Sequence, residues 1–126
     1  MKTIIRSDKA PAPVGPYSQA VEAGGFLFCS GQIAIDPKSN AVFTGPIEEQ
    51  AKQVMENIRA VLDAAGLDFN NVVKTTIYLT NMNDFTTVNE VYSRYFTEQP
   101  PARSTVAVAG LPKGVHVEIE VLAERG

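Results

Sequence analysis

The chain has 126 residues, 44% of them hydrophobic and 20% charged, with a formal net charge of −3. One Cys and one His can neither close an internal disulfide nor supply a four-ligand zinc site, and a chain of this length builds a sufficient core without either. The acid excess weighs against a surface made for nucleic-acid phosphate, and no apolar run approaches the roughly 18–20 residues of a membrane-spanning helix. The first residues, Met1-Lys2-Thr3-Ile4-Ile5-Arg6-Ser7-Asp8, lack the continuous apolar stretch and small-residue cleavage site of a secretory signal. The expectation is a single cytoplasmic domain over residues 1–126.

Ala10-Pro11-Ala12-Pro13-Val14-Gly15-Pro16 is too rich in proline for a helix or a central strand. It reads as an extended loop that delivers Tyr17-Ser18-Gln19 to a fixed place. Apolar runs at residues 20–23 and 26–29, split by the hairpin pair Gly24-Gly25, predict two strands. A third run at 33–35, before the turn sequence 36–40, extends them into a predicted antiparallel meander.

Ile47, Ala51, Val54, Met55, Ile58, Val61, Leu62 and Ala65 recur at helical spacing. Acids lead this helix and Gly66 stands as its stop. Residues 71–80 alternate as a strand, with Val73, Thr75, Ile77 and Leu79 expected on one face and Val72, Lys74, Thr76 and Tyr78 on the other. A second amphipathic helix is expected to be capped near Asn83 or Asp84 and to end before Pro100-Pro101; its apolar side carries Phe85, Val88, Val91, Tyr92, Tyr95 and Phe96. Strands at 104–108 and 115–123 follow, separated by the turn Leu111-Pro112-Lys113-Gly114.

This order predicts an α+β fold: one mixed sheet with two helices packed on one face. In the last strand Val115, Val117, Ile119 and Val121 then lie under the helices, and His116, Glu118, Glu120 and Leu122 point to the uncovered face. That face, semi-apolar with Val72, Thr76 and Tyr78, suits either solvent or a subunit interface.

Arg103 follows a rigid proline pair at a strand entrance, where its planar fork suits a carboxylate. It has two readings: a clamp for a small acid, or a structural partner of Glu118 or Glu120, with the structural one ahead on pattern alone. Glu118 and Glu120 share one side of a strand about 7 Å apart, a spacing open to acid–base work or to ordinary surface. Ser30-Gly31 offers a hydroxyl and a close backbone approach, which a strand-ending turn also needs. Cys29 reads as core rather than nucleophile, and His116 as a surface or a hydrogen-bonded residue rather than a catalytic base. The sequence 110–114 lacks phosphate-loop spacing, and no dinucleotide fingerprint is present.

Taken together, Gly15-Pro16-Tyr17-Ser18-Gln19-Ala20, Ser30-Gly31-Gln32-Ile33, Asn57-Ile58 with Ala64-Ala65-Gly66, Asn89-Glu90-Val91-Tyr92, Pro101-Ala102-Arg103-Ser104-Thr105-Val106, and Leu111-Pro112 with Val117-Glu118-Ile119-Glu120 resemble the RidA/YjgF family of imine/enamine deaminases. The likeness runs in order over essentially the whole chain. It implies a chorismate-mutase-like fold, with a six-stranded mixed sheet and two helices on one face. It further implies a barrel-like homotrimer with ligand sites between subunits.

The implied reaction is hydrolysis of 2-imino acids to 2-oxo acids and ammonia, without metal or cofactor. The imines derive from enamines such as 2-aminoacrylate and 2-aminocrotonate, released by pyridoxal-phosphate-dependent dehydratases. By the same resemblance Arg103 grips the substrate carboxylate, Glu118 activates water, and Tyr17 walls the pocket and donates its hydroxyl. Ser30, Gly31 and Thr105 line it, Thr105 standing where relatives carry Thr or Cys. Family members are also described as metabolite-binding regulators, chaperone-like proteins, or translation inhibitors with endoribonuclease activity. The net charge of −3 and the lack of a basic aromatic stripe argue against a dedicated nuclease.

Overall fold

The computed structural model describes residues 1–126. Its elements are β1 (Thr3–Ile5), β2 (Ala20–Ala23), β3 (Phe26–Cys29), α1 (Ile47–Ala64), β4 (Val72–Leu79), α2 (Phe85–Ser93), β5 (Ala102–Ala107) and β6 (Val117–Glu124). One six-stranded sheet has the order β1-β2-β3-β6-β4-β5. All its pairs are antiparallel except β4–β5, which are parallel because α2 carries the chain back between them. No helix is long and apolar enough to cross a membrane.

Helix α1 forms where the apolar spacing predicts it, led by Glu48 and Glu49 and closed by Gly66 at φ 74°, a conformation that glycine adopts without penalty. Its buried face meets α2 and β6: Val54, Met55, Ile58, Val61 and Leu62 close over Val117, Ile119 and Val121, with Val88, Val91 and Tyr92 completing the layer. Removing one of these large side chains, for instance Ile58→Ala, costs about 2–5 kcal/mol through lost burial and the cavity left behind. The opposite face of β6 carries Glu118, Glu120 and Leu122, half-buried and without a covering helix. The mixed sheet with its helices on one side is as the sequence predicts.

Strand ends differ by one or two residues, α2 stops at Ser93 with Tyr95 and Phe96 beyond it, and His116, ahead of β6, bonds to Gln50 on α1 instead of facing the open side. Three further expectations need correction. First, Thr3–Ile5 forms an edge strand on β2 that the reading omits, with Ile4 opposite Val21. Second, residues 33–35 are not a strand. The Ile35 N–H turns back to the Ile33 carbonyl at 2.8 Å, and the Asn57 amide on α1 donates to the carbonyls of Ile33 and Ile35 at 3.2 and 2.9 Å. A buried side chain thus supplies the partners a neighbouring strand would have given. Third, an irregularity in register between Val72 and Lys74 inverts the start of β4: Val72 is buried opposite Ala123 and Val73 is exposed. A bulge of this kind shifts the alternation by one residue.

Candidate active site

A cleft of 420 Å³ opens where the proline-rich loop, the turn after β3 and the start of β6 converge. The loop owes its path to Gln19, 3% exposed. The Gln19 Oε1 accepts from the Ser7 N–H at 2.7 Å, while its amide donates to the carbonyls of Ser7 and Pro11 at 3.1 and 2.9 Å. Prolines leave this segment short of backbone donors, and one buried amide satisfies it instead. Ser30 ties the other end: its hydroxyl donates to the Ser18 carbonyl at 2.6 Å, and its N–H to the Gln19 carbonyl at 2.9 Å. Tyr17 is thereby held, largely exposed, at the wall of the cleft.

Glu118 enters the same cleft from β6, with no hydrogen-bond or ion-pair partner in the chain. Burial first, and then the nearby charge of Glu120, push its carboxyl above the ordinary carboxylate value. Gly31 provides the space, since a Cβ at that position would lie 2.9 Å from the Glu118 carboxyl carbon. Glu120 is differently employed, accepting the Tyr78 hydroxyl at 2.7 Å. Apart from Glu118, the charged residue lining the cleft is Lys113.

Arg103 and Thr105 lie elsewhere. On β5, Arg103 stands in register with Thr75 and Thr105 with Ile77, both buried on the helix-covered face. Glu118 stands in register with Tyr78, on the open face. The two groups therefore occupy opposite sides of one sheet, because partners in register point the same way. Arg103 makes neither of the suggested pairs with Glu118 or Glu120. Its Nη1 donates to the Asn89 Oδ1 at 2.6 Å, and its guanidinium lies over the rings of Phe85 and Tyr92 at 5.4 and 5.0 Å from their centroids. These contacts hold the fork at an exposed edge, where its other donors have no partner in the chain. The Thr105 Oγ1 is buried without a partner.

Cys29 packs against the core, and burial pushes its thiol up to about 12, so it is no nucleophile. His116 lies outside the cleft lining, its Nδ1 2.9 Å from the Gln50 Nε2. The Gln50 Oε1 accepts from the His116 N–H at 2.9 Å and its amide donates to the Gly45 carbonyl at 2.9 Å, which anchors the chain just before β6.

Sequence reasoning assigns no role to Gln19, Gln50, Asn57, Asn89 or Lys113. Gln50 and Asn57 carry a usable signal: both fall within the apolar stripe of α1, where an unexplained amide marks a buried hydrogen-bonding duty. Asn89 has a weaker one, four residues after Phe85 and on the same side of α2.

The model of the family described as Endoribonuclease L-PSP matches residues 7–125. A RutC family protein of Pyrococcus horikoshii is 54% identical over 98% of this chain and 98% of its own. A mouse protein named 2-iminobutanoate/2-iminopropanoate deaminase is 50% identical over 100% of this chain and 93% of its own. Among solved structures, the yjgF gene product of Escherichia coli superposes with a TM-score of 0.94 at 43% identity, covering 98% of this chain and 99% of that one. Sequence and fold agree over nearly their full lengths, and the chain belongs to the RidA/YjgF family.

Proposed function

We propose that the protein hydrolyses 2-imino acids to 2-oxo acids and ammonia, at sites completed between the subunits of a homotrimer. The observation that carries this reading is the unpartnered Glu118 carboxylate, given room by Gly31 and facing the same cleft as Tyr17. The related mouse deaminase supports the choice of substrate. In this account Arg103 of one subunit reaches into the cleft of the next and takes the substrate carboxylate with two hydrogen bonds. Thr105, with its unsatisfied hydroxyl, accompanies it. The apolar open face, with Phe28 and Val106 exposed, is the surface buried in assembly.

The chemistry asks little of the protein. With the imine protonated, water adds to C2 and gives one proton to Glu118, leaving a carbinolamine. Glu118 returns that proton to nitrogen and, as the C–N bond breaks, takes the proton of the hydroxyl that becomes the carbonyl; the 2-oxo acid and ammonia leave, and the carboxyl then gives this proton to solvent. A carboxyl raised by burial suits these transfers, since it accepts and gives a proton more evenly near neutral pH. Tyr17 donates its hydroxyl to the reacting group and walls it from solvent. The biological consequence is removal of an electrophile before it damages a pyridoxal-phosphate enzyme.

The family model's endoribonuclease name raises RNA as a second substrate, but one lysine in the cleft and a net charge of −3 favour a small acid. A threonine dehydratase generating 2-iminobutanoate in the presence of semicarbazide tests the reading. The protein should compete and lower semicarbazone formation, and Glu118→Gln should not. Full semicarbazone formation with the folded wild-type protein overturns it.

A further inference from the structure

Two residues other than glycine have positive φ in this chain, Asn40 and Lys113. Asparagine tolerates that region, whereas lysine gains nothing there. Lys113, at φ 58° and ψ 22°, follows Pro112 in the turn before β6, a position that glycine or asparagine would fill with less strain. Gly114, at φ 72°, follows it, so the turn has two consecutive left-handed residues and only the second is glycine. Strain kept on a bulky side chain is a pointer to its use.

Lys113 is among the residues that line the cleft holding Glu118 and Tyr17, and it forms no ion pair with any acid of the chain. The cleft is larger than its simplest substrates require: 420 Å³ lies in the range of sites for drug-sized ligands, whereas 2-iminobutanoate has about seven non-hydrogen atoms. Besides Glu118, Lys113 is the charged residue of this chain along the cleft wall.

We infer that Lys113 is a specificity residue that recognises a second acidic group, favouring 2-imino acids whose side chain ends in a carboxylate. This rests on the reading of the cleft as a 2-imino acid site. Arg103 and Lys113 then hold the two ends of one dianion, with the imine carbon between them beside Glu118. Monocarboxylate substrates fit the same cleft but leave the ammonium in water.

The test compares 2-oxobutanoate with 2-oxoglutarate as ligands by calorimetry, and the corresponding imines as substrates. Wild type should prefer the dicarboxylate about tenfold, a step typical of one charge-assisted contact. Lys113→Gly, which removes the charge and relaxes the turn, should erase that preference and leave 2-oxobutanoate binding within twofold. Lys113→Arg should keep it. Equal binding of the two acids by wild type, or an equal loss of both in Lys113→Gly, overturns the inference. A retained dicarboxylate preference without turnover of any imine upholds Lys113 as the anion contact and overturns the hydrolytic reading alone.

Discussion

The two halves of the candidate site are built by different means. The Tyr17–Glu118 half wraps loops around Glu118 on β6, and buried amides staple those loops: Gln19 holds the proline-rich segment, Asn57 holds residues 33–35, and Gln50 anchors the approach to β6. The Arg103–Thr105 half is formed on a regular strand, but β5 is a sheet edge with one neighbour, and its arginine rests on Asn89 and two aromatic rings. Irregular backbone is rigid here because its polar groups are satisfied inside the chain. The regular strand is the half whose outer edge no strand of the same chain pairs. Lying on opposite faces of the sheet, the halves cannot meet within one subunit.

Changes on the open half should hurt catalysis most while sparing the fold. In the proposed mechanism Arg103→Ala removes the carboxylate clamp, so kcat/KM should fall by roughly a thousandfold or more, as expected for loss of a charged, bidentate contact, with an unchanged oligomer size and only about 1 kcal/mol of stability lost with its contacts to Asn89, Phe85 and Tyr92. A large drop in stability instead would make Arg103 a structural residue. Gly31→Ala tests the stapled half. The added methyl must displace the Glu118 carboxyl, and we expect about a 100-fold loss in kcat, the low end of what a positioned acid–base group contributes, with near-normal folding. A crystal structure of that variant with Glu118 unmoved and activity lost would contradict the assigned cause.

Gln19→Leu sharpens the contrast from the other side. It strips partners from buried backbone groups, at a cost of about 1–3 kcal/mol in chemical denaturation, and activity should fall with the loosening of Tyr17. Smallest of all is the effect of Glu118→Gln on stability. The folded state holds the Glu118 proton more tightly than the unfolded chain, whose reference value is 4.5. The group's contribution is therefore fully present below that value and is lost as pH rises through the raised one. The variant should melt slightly higher than wild type at pH 7, with the advantage fading toward pH 4, while its activity should be lost. The same titration should make wild-type turnover decline as the solution is acidified through the raised value.

Much of this architecture is legible in the sequence because it follows from periodicity. The α1 stripe, the alternation in β6 and the helix-covered face all come from where apolar residues recur. The failures have local causes. Three residues at 3–5 are too few for a pattern, and their pairing is with β2 rather than with anything nearby in sequence. Residues 33–35 are apolar enough for a strand, but Asn57, more than twenty positions away, takes their carbonyls. The shift at Val72 is a register event that composition does not encode.

For the site, motif resemblance names Tyr17, Ser30, Gly31, Arg103, Thr105 and Glu118. Their division between two sheet faces depends on the register of β4 with β5 and β6, which the linear pattern does not give.

Mixed oligomers test the central claim most directly. Inactive Arg103→Ala and Glu118→Gln chains, unfolded together in equal amounts and refolded, would assemble at random into closed rings of copies. If each site takes Arg103 from one subunit and Glu118 from the next, about a quarter of the sites regain both residues. The account predicts recovery of about one quarter of wild-type activity from two inactive parents, whereas a mixture as inactive as its parents would contradict an active site shared between subunits.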